Sequence, residues 1–365
     1  MRIVYANAGY SNNSAEGGPA HMRQFIENAS ALGHEIFLWH GMEQHSLTKP
    51  VPGKRLDRLK LFRSADLIYY RIEWRLPKGC RVILPPYRKL IGNPLVVWEF
   101  NTVPEYGRMH GDDDAKVQWW VNQLRRYAHA VDLATCVSNK IADYVRDHLG
   151  FRRVITIPNG SDPQLFRPDV PRVKRIEKKP GRMDVVWIGS ANLAWHNFDL
   201  LVKAAWSIWN SGQGDQIVFH VIGQGMKGLR DAPPNLNYYG PEEYRHLPGW
   251  LSAMDVGLNV YHPGPADYSS PLKLFDYMAS GLTVVSTEQP QAHEIFEQLG
   301  QADLLIPHDQ PGMLADALRR LAADPDYRKR QGAAGRQLII DRYNWRKSVT
   351  DTFAEIEKLR GRHLK

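Results

Sequence analysis

SSPLKLFDYMASGLTVVST, residues 269–287, runs from a polar entry through an apolar helix-like segment and a glycine into a β-branched strand. Ser270 is a natural N-cap and Pro271 a natural first helical residue. Leu272, Phe275 and Ala279 share a face, which predicts packing on a sheet. Lys273 and Asp276 lie three apart on another face. A lysine in the first turn opposes the helix dipole. A phosphate bound by the free N–H groups there would reverse that sign, and Asp276 can accept hydrogen bonds from sugar hydroxyls. A capped surface helix with a solvated Lys–Asp pair accounts for the same residues equally well.

Outward from this stretch, apolar strand-like runs alternate with helical patterns. Upstream lie MDVVWIGS (183–190), a helix from about Phe198, IVFHVIGQG (217–225), NLNYYG (235–240), a helix ending near Met254 and DVGLNVY (255–261). Downstream come a short helix near 291–298, DLLIP (303–307) and two closing helical segments, the last striped by Val349, Phe353, Ile356 and Leu359. The first part of the chain repeats the alternation with RIVYAN (2–7), a helix over 19–32, GHEIFLW, LIYY (67–70), PLVVWEF (94–100), helices near 116–131 and 139–149, DLATCVS (132–138) and VITIPNG (154–160). Such alternation predicts βαβ units and parallel sheets. RPDVPRVKRIEKKPGR (167–182) is basic and nearly free of apolar residues, so it reads as a linker. The expected organisation is two Rossmann-like domains, 1–168 and 183–345, joined by 169–182, with a helix over about 346–365 packing back on the first. A cleft between the carboxyl ends of the two sheets would hold the ligand.

Bulk properties narrow the function. The 365 residues suffice for two cores, and the net charge of +8 favours anionic partners. Cys80 and Cys136 make neither a zinc spacing nor a disulfide framework. The start MRIVYANAGY reads as a first strand rather than a signal peptide, and no apolar run has the length of a membrane span, so a cytoplasmic protein is expected. Nothing beyond charge points to nucleic acid.

Several segments together resemble the GT-B glycosyltransferases, particularly retaining family 4 (glycosyl transferase group 1). SSPLKLFDYMASG is similar to their nucleotide-binding helix, and VITIPNGSDPQLFRP to the signature that precedes their linker, with Asn159, Gly160, Asp162, Phe166 and Pro168 matching. AEGGPAHMRQFIENASALGHEI is similar to their Gly-Gly loop and first helix, AVDLATCVSNKIADYV to a strand ending in Ser, and NLNYYG and LSAMDVGLNV to two donor-domain strands. The resemblance implies transfer of a sugar, with retention, from a nucleotide-diphosphate sugar to a hydroxyl of a glycan or lipid-linked glycan, without metal or other cofactor. It implies donor contacts at Ser190, His196, Gly240, Ser269, Ser270, Pro271, Leu272, Lys273 and Asp276. It places Gly17, Gly18, Glu99 and Asn101 near the reacting centre. Asp276 would bind ribose, and Lys273 the diphosphate.

The sequence departs from the pattern at three points. The first acid of the family's paired carboxylates would fall at Tyr268. Ser190 and His196 stand where an Arg and a Lys usually clamp the diphosphate, so His196 would contribute only when protonated. Glu99 and Asn101 replace a customary His. These losses leave open a non-catalytic GT-B subunit that partners another glycosyltransferase, or a nucleotide-sugar epimerase. HGDDDAK (110–116) has the donors for Mg²⁺ or Mn²⁺, but acids before a helix also match its dipole. GKRLDRLKLFR (53–63) mixes cations with apolar residues, as a peripheral contact with an anionic membrane would require and as a solvated face also does. Trp74, Trp119 and Trp120 are aromatic surfaces for an acceptor sugar or for the core.

Overall fold

The computed structural model describes residues 1–7, 17–39, 45–76, 79–84, 87–225 and 232–363. The chain forms two compact units, one of Met1–Asn159, Tyr268–Ser270 and Trp345–Lys365, the other of Gly160–Asp267 and Pro271–Asn344.

The first unit contains β1 (Arg2–Asn7), α1 (Gly17–Ala31), β2 (Glu35–Leu38), β3 (Thr48–Pro50), α2 (Arg55–Ser64), β4 (Leu67–Ile72), α3 (Tyr87–Leu90), β5 (Leu95–Phe100), α4 (Asp114–Tyr127), β6 (Leu133–Cys136), α5 (Asn139–Asp147) and β7 (Val154–Thr156). Its sheet runs β3-β2-β1-β4-β5-β6-β7, and every pairing is parallel. β4 and β5 are buried at every residue, as expected of strands covered on both faces. Tyr5 and Tyr69 of the sheet stack with Phe25 of α1.

The second unit contains β8 (Met183–Ser190), α6 (Phe198–Asn210), β9 (Ile217–Gln224), β10 (Leu236–Tyr238), α7 (Leu247–Leu251), β11 (Val256–Asn259), α8 (Leu272–Ala279), β12 (Thr283–Thr287), α9 (Pro290–Leu299), β13 (Leu305–Ile306), α10 (Pro311–Ala323) and α11 (Pro325–Asp341). Its sheet is also parallel, in the order β10-β9-β8-β11-β12-β13. The last helix, α12 (Trp345–His363), belongs to the first unit. There Val349, Phe353, Ile356 and Leu359 join the core that holds Phe25.

The structure differs from the sequence reading in several places. Three helices close the chain instead of two, because Asp324 caps Tyr327 N and Pro325 starts a new helix. The boundary between the units falls at Gly160. Part of the expected linker is fastened to the second unit: Lys178 pairs with the fully buried Asp184 at 2.9 Å and with Asp255 at 2.7 Å, and Arg182 reaches Asp184 at 2.8 Å. A buried carboxylate needs such partners, which explains why so basic a stretch is ordered. GKRLDRLKLFR mostly forms α2, which buries Leu61 and Phe62 and leaves Leu56 74% exposed. Cys80 and Cys136 are buried free thiols, with pKa values raised by that burial.

Candidate functional site

In the first unit, sheet register builds a polar row at the carboxyl ends of the strands. Arg71 of β4 pairs with Glu99 of β5, and Glu99 pairs with Thr135 of β6. From α1, His21 lies one turn before Phe25 and brings its Nε2 within 3.1 Å of Glu99 Oε1. Asn101 Nδ2 donates to the same oxygen at 2.8 Å, and Tyr69 OH donates to Oε2. Arg71 Nε lies 3.8 Å from Oε1, and its Nη1 donates to Glu73 at 2.8 Å. Burial alone would raise the Glu99 pKa. His21, Arg71 and the Tyr69 hydroxyl outweigh it and hold the carboxyl at about 2. Glu99 is therefore a fixed anion satisfied by its neighbours.

Gly17 and Gly18 are the first residues of α1, so they sit in the helical turn and not in the preceding loop, which was where the sequence placed them; residues 8–16 lie outside the described residues. A side chain at Gly18 would point at the Arg71 guanidinium, 4.0 Å from its ideal Cβ. The backbone here meets a buried cation closely.

In the second unit, α8 begins at Leu272. Its N-cap is Pro271, with φ −66° and ψ 113° and no side-chain cap. The expected Ser270 cap is thus shifted by one residue. The Ser270 carbonyl accepts from Asn159 Nδ2 at 2.9 Å, and its hydroxyl is buried without a partner among the described residues. Ser269 is half-buried. The predicted packing face also moves: Leu272 is half-buried, and Leu274 joins Phe275 and Ala279 in the core. Tyr277 OH accepts from Ile188 N at 2.7 Å, locking α8 over β8.

Lys273 is half-buried, its amine lying in an aromatic surround. Its Nζ lies 4.8 Å from the Trp187 ring centre, 5.0 Å from that of Tyr261 and 3.2 Å from His196 Nε2. Among the described residues no carboxylate pairs with it. Burial pushes its pKa down to about 7. A Cβ at Gly189 would come within 3.0 Å of Lys273 Nζ and within 2.9 Å of the Trp187 ring, so only glycine leaves the amine its place. His196 Nδ1 bonds the Ser190 carbonyl at 2.8 Å. Burial and the adjacent Lys273 push His196 to a pKa of about 2. In the free protein the imidazole is therefore a neutral neighbour of the amine. Gly240 follows β10 with φ +81°, and its carbonyl accepts from Gly223 N.

Asp276 is buried. Its Oδ1 accepts from Ser161 Oγ at 2.5 Å and Tyr244 OH at 3.1 Å. Burial, only partly offset by these bonds, pushes its pKa up to about 7. Tyr268, at the position of the missing acid, packs its ring on Tyr144 with centres 5.7 Å apart.

Sequence reasoning missed His21, Arg71, Ser161, Trp187, Tyr244 and Tyr261. His21 carried a readable signal, a polar residue on the apolar face of α1. Of the acidic run, Asp113 caps α4 through Lys116 N, Asp112 accepts from Trp120 Nε1, and Asp114 pairs with Arg108. These carboxylates serve the helix start. Trp119 is 45% exposed, with Lys116 Nζ 4.4 Å from its ring centre.

Two parallel α/β units in one chain, the second closed by a helix returned to the first, are the GT-B architecture. Comparison with known proteins agrees. Residues 15–165 match the family profile described as Glycosyltransferase Family 4, and residues 182–324 that described as Glycosyl transferases group 1. The chain belongs to these GT-B glycosyltransferases. It is 32% identical over 184 residues to TuaH of Bacillus subtilis (strain 168), a protein provisionally named as a teichuronic acid biosynthesis glycosyltransferase. That alignment spans 47% of this chain and 44% of TuaH, less than half the length of that relative. Among solved structures, sucrose-phosphate synthase from Thermosynechococcus elongatus superposes with a TM-score of 0.70 at 15% identity, covering 99% of this chain and 100% of that one. WaaG, a glycosyltransferase involved in lipopolysaccharide biosynthesis, gives 0.61 at 14%, covering 93% and 95%. A trehalose-6-phosphate synthase studied for glycosyl transfer with retention gives 0.64 at 11%, covering 98% and 99%.

Proposed function

We propose that this protein transfers a sugar from a nucleotide-diphosphate sugar to a hydroxyl of a glycan or lipid-linked glycan, with retention and without a metal. The observation that carries the reading is Lys273, a cation held among Trp187, Tyr261 and His196 with no carboxylate partner among the described residues. It lies in the first turn of α8, where free N–H groups add to its field. A leaving diphosphate supplies the missing charge, and it gains charge as the glycosidic bond breaks, so the same groups stabilise the transition state more than the ground state.

Asp276 Oδ2 takes no part in the bonds from Ser161 and Tyr244, which leaves it for the ribose hydroxyls. The backbone of Gly17 and Gly18 approaches the reacting sugar, and Glu99, already bonded by its neighbours, fixes Asn101 for contact with sugar hydroxyls. Glu99 is a poor nucleophile and a poor base, being ionised down to a pH of about 2 and already bonded by its neighbours. Retention rests on analogy with the trehalose-6-phosphate synthase, and the acceptor's proton passes to the leaving phosphate. The likeness to TuaH supports a cell-surface polysaccharide as the product. The exposed face of α2, with Leu56 among Arg55, Arg58 and Lys60, is suited to peripheral contact with an anionic membrane. No helix among the described residues is long and apolar enough to cross one.

Titration calorimetry with UDP, GDP, ADP and their sugar conjugates, in chelator, tests the reading. Binding of one nucleotide family, lost in Lys273→Met, supports it. A folded protein that binds none of them overturns it in favour of a non-catalytic subunit. A donor sugar converted without acceptor indicates an epimerase.

A further inference from the structure

A cavity of about 20 Å³ lies inside the first unit, bounded by α1, the carboxyl end of β6, the segment after β7 and the start of α12. Four of the residues lining it carry a buried side-chain atom with no hydrogen-bond partner among the described residues: His21 Nδ1, Thr135 Oγ1, Asn159 Oδ1 and Trp345 Nε1. The four residues are 6%, 1%, 6% and 3% exposed. The other polar ends are committed, His21 Nε2 to Glu99 at 3.1 Å and Asn159 Nδ2 to the Ser270 carbonyl at 2.9 Å. Neither side chain can turn to rescue its stranded atom without breaking a bond it already makes. Much of the remaining wall is apolar, including Phe25 and Val349.

Buried polar atoms are almost always satisfied. The Thr135 hydroxyl has the Tyr69 hydroxyl beside it; the other three, around one small space, call for a ligand that hydrogen-bonds each of them. The volume admits a single water and little more, and a buried water commonly makes about three hydrogen bonds. An ion fits poorly, because the carboxylate among the lining residues, Glu99, is already partnered by His21 and Arg71.

We infer that this cavity is the site of one ordered water that links His21, Asn159 and Trp345. The water accepts from Trp345 Nε1–H and donates to Asn159 Oδ1. Towards His21 Nδ1, whose ring presents Nε2 to the Glu99 carboxylate, it donates. The Glu99–His21 pair, the first residue of α12 and the carbonyl just before Pro271 thereby join one hydrogen-bonded network. The inference concerns the free protein and stands whether or not the chain transfers sugars.

The test is a crystal structure of the full chain, without substrate, at a resolution that shows ordered solvent, for the wild type and for Trp345→Phe. The wild type should show one peak at about 2.7–3.2 Å from all three atoms. In Trp345→Phe, which keeps an aromatic ring but removes the donor, the peak should be lost or displaced. An NMR measurement on the wild type guards against failure of the variant to fold: the Trp345 indole proton should be protected from exchange and show a cross-peak to bound water. A dry cavity, a peak contacting fewer than two of the three atoms, or side chains rotated to bond one another would overturn the inference.

Discussion

The two units treat buried charge in opposite ways. In the first, Glu99 is surrounded by donors and cations, and its carboxyl is held at about 2. In the second, Lys273 has aromatic rings and a neutral imidazole for company, and burial lowers it to about 7. One charge is complete within the protein, while the other has no counter-charge among the described residues. Burial alone therefore does not mark a binding site. The informative feature is a buried charge whose counter-charge the fold does not supply.

The comparison is most severely strained by removing the satisfied charge. Glu99→Ala leaves His21 without its carboxylate and Arg71 with Glu73 alone, and should cost about 3–5 kcal/mol. The loss should appear in the unfolding transition of the first unit in a denaturant titration. A loss below about 1 kcal/mol would mean that the pair is solvated and the contrast false.

Removing the unsatisfied charge should do the reverse. Lys273→Met deletes a desolvated cation, so the melting temperature should hold or rise. Nucleotide-diphosphate affinity should fall about 10- to 100-fold, the worth of a charged hydrogen bond of roughly 1.5–3 kcal/mol. Full affinity in this variant would remove Lys273 from the donor site.

Titration sharpens the contrast further. An anion binds the protonated amine, so donor affinity should be level below pH 7 and fall about tenfold per unit above it. Calorimetry in buffers of different ionisation enthalpy should register proton uptake near pH 7, absent in Lys273→Met. Glu99 titrates elsewhere: its folded pKa is depressed, so its stabilisation is present above about 4.5 and is lost as the pH falls towards about 2.

Most of the architecture was legible in the sequence because parallel strands covered on both faces are continuous apolar runs. MDVVWIGS was read to the residue as β8. β3 and α2 were not, since β3 has three residues and α2 buries only Leu61 and Phe62 among many charges. Lys273 and Asp276 were legible because their chemistry is local to one helix start. Glu99 was found, but its partners were not. Arg71, Glu99 and His21 meet through sheet register and helix packing, separations of 28 and 78 residues that no local pattern encodes. Ser270 was misjudged as the cap because Ser-Pro satisfies the capping rule in two registers, and the extended Pro271 selects the later one.

Asp276 is the subtler exception, a carboxylate treated by its unit as the amine is, with burial raising it to about 7. Its folded pKa lies above the ordinary value of 3.8, so its sign is opposite to that of Glu99: stability is greatest below about 3.8 and declines as the pH rises to about 7. Asp276→Asn keeps an acceptor for Ser161 and Tyr244 and removes the ionisation. It should flatten that decline in thermal melts, while donor affinity at neutral pH drops only about 2- to 10-fold, the worth of one neutral hydrogen bond of roughly 0.5–1.5 kcal/mol. A decline that persists in the variant would assign the slope to another group. A loss of affinity as large as that of Lys273→Met would show that Asp276 is ionised when the donor binds, and that its charge, rather than its shape, grips the ribose.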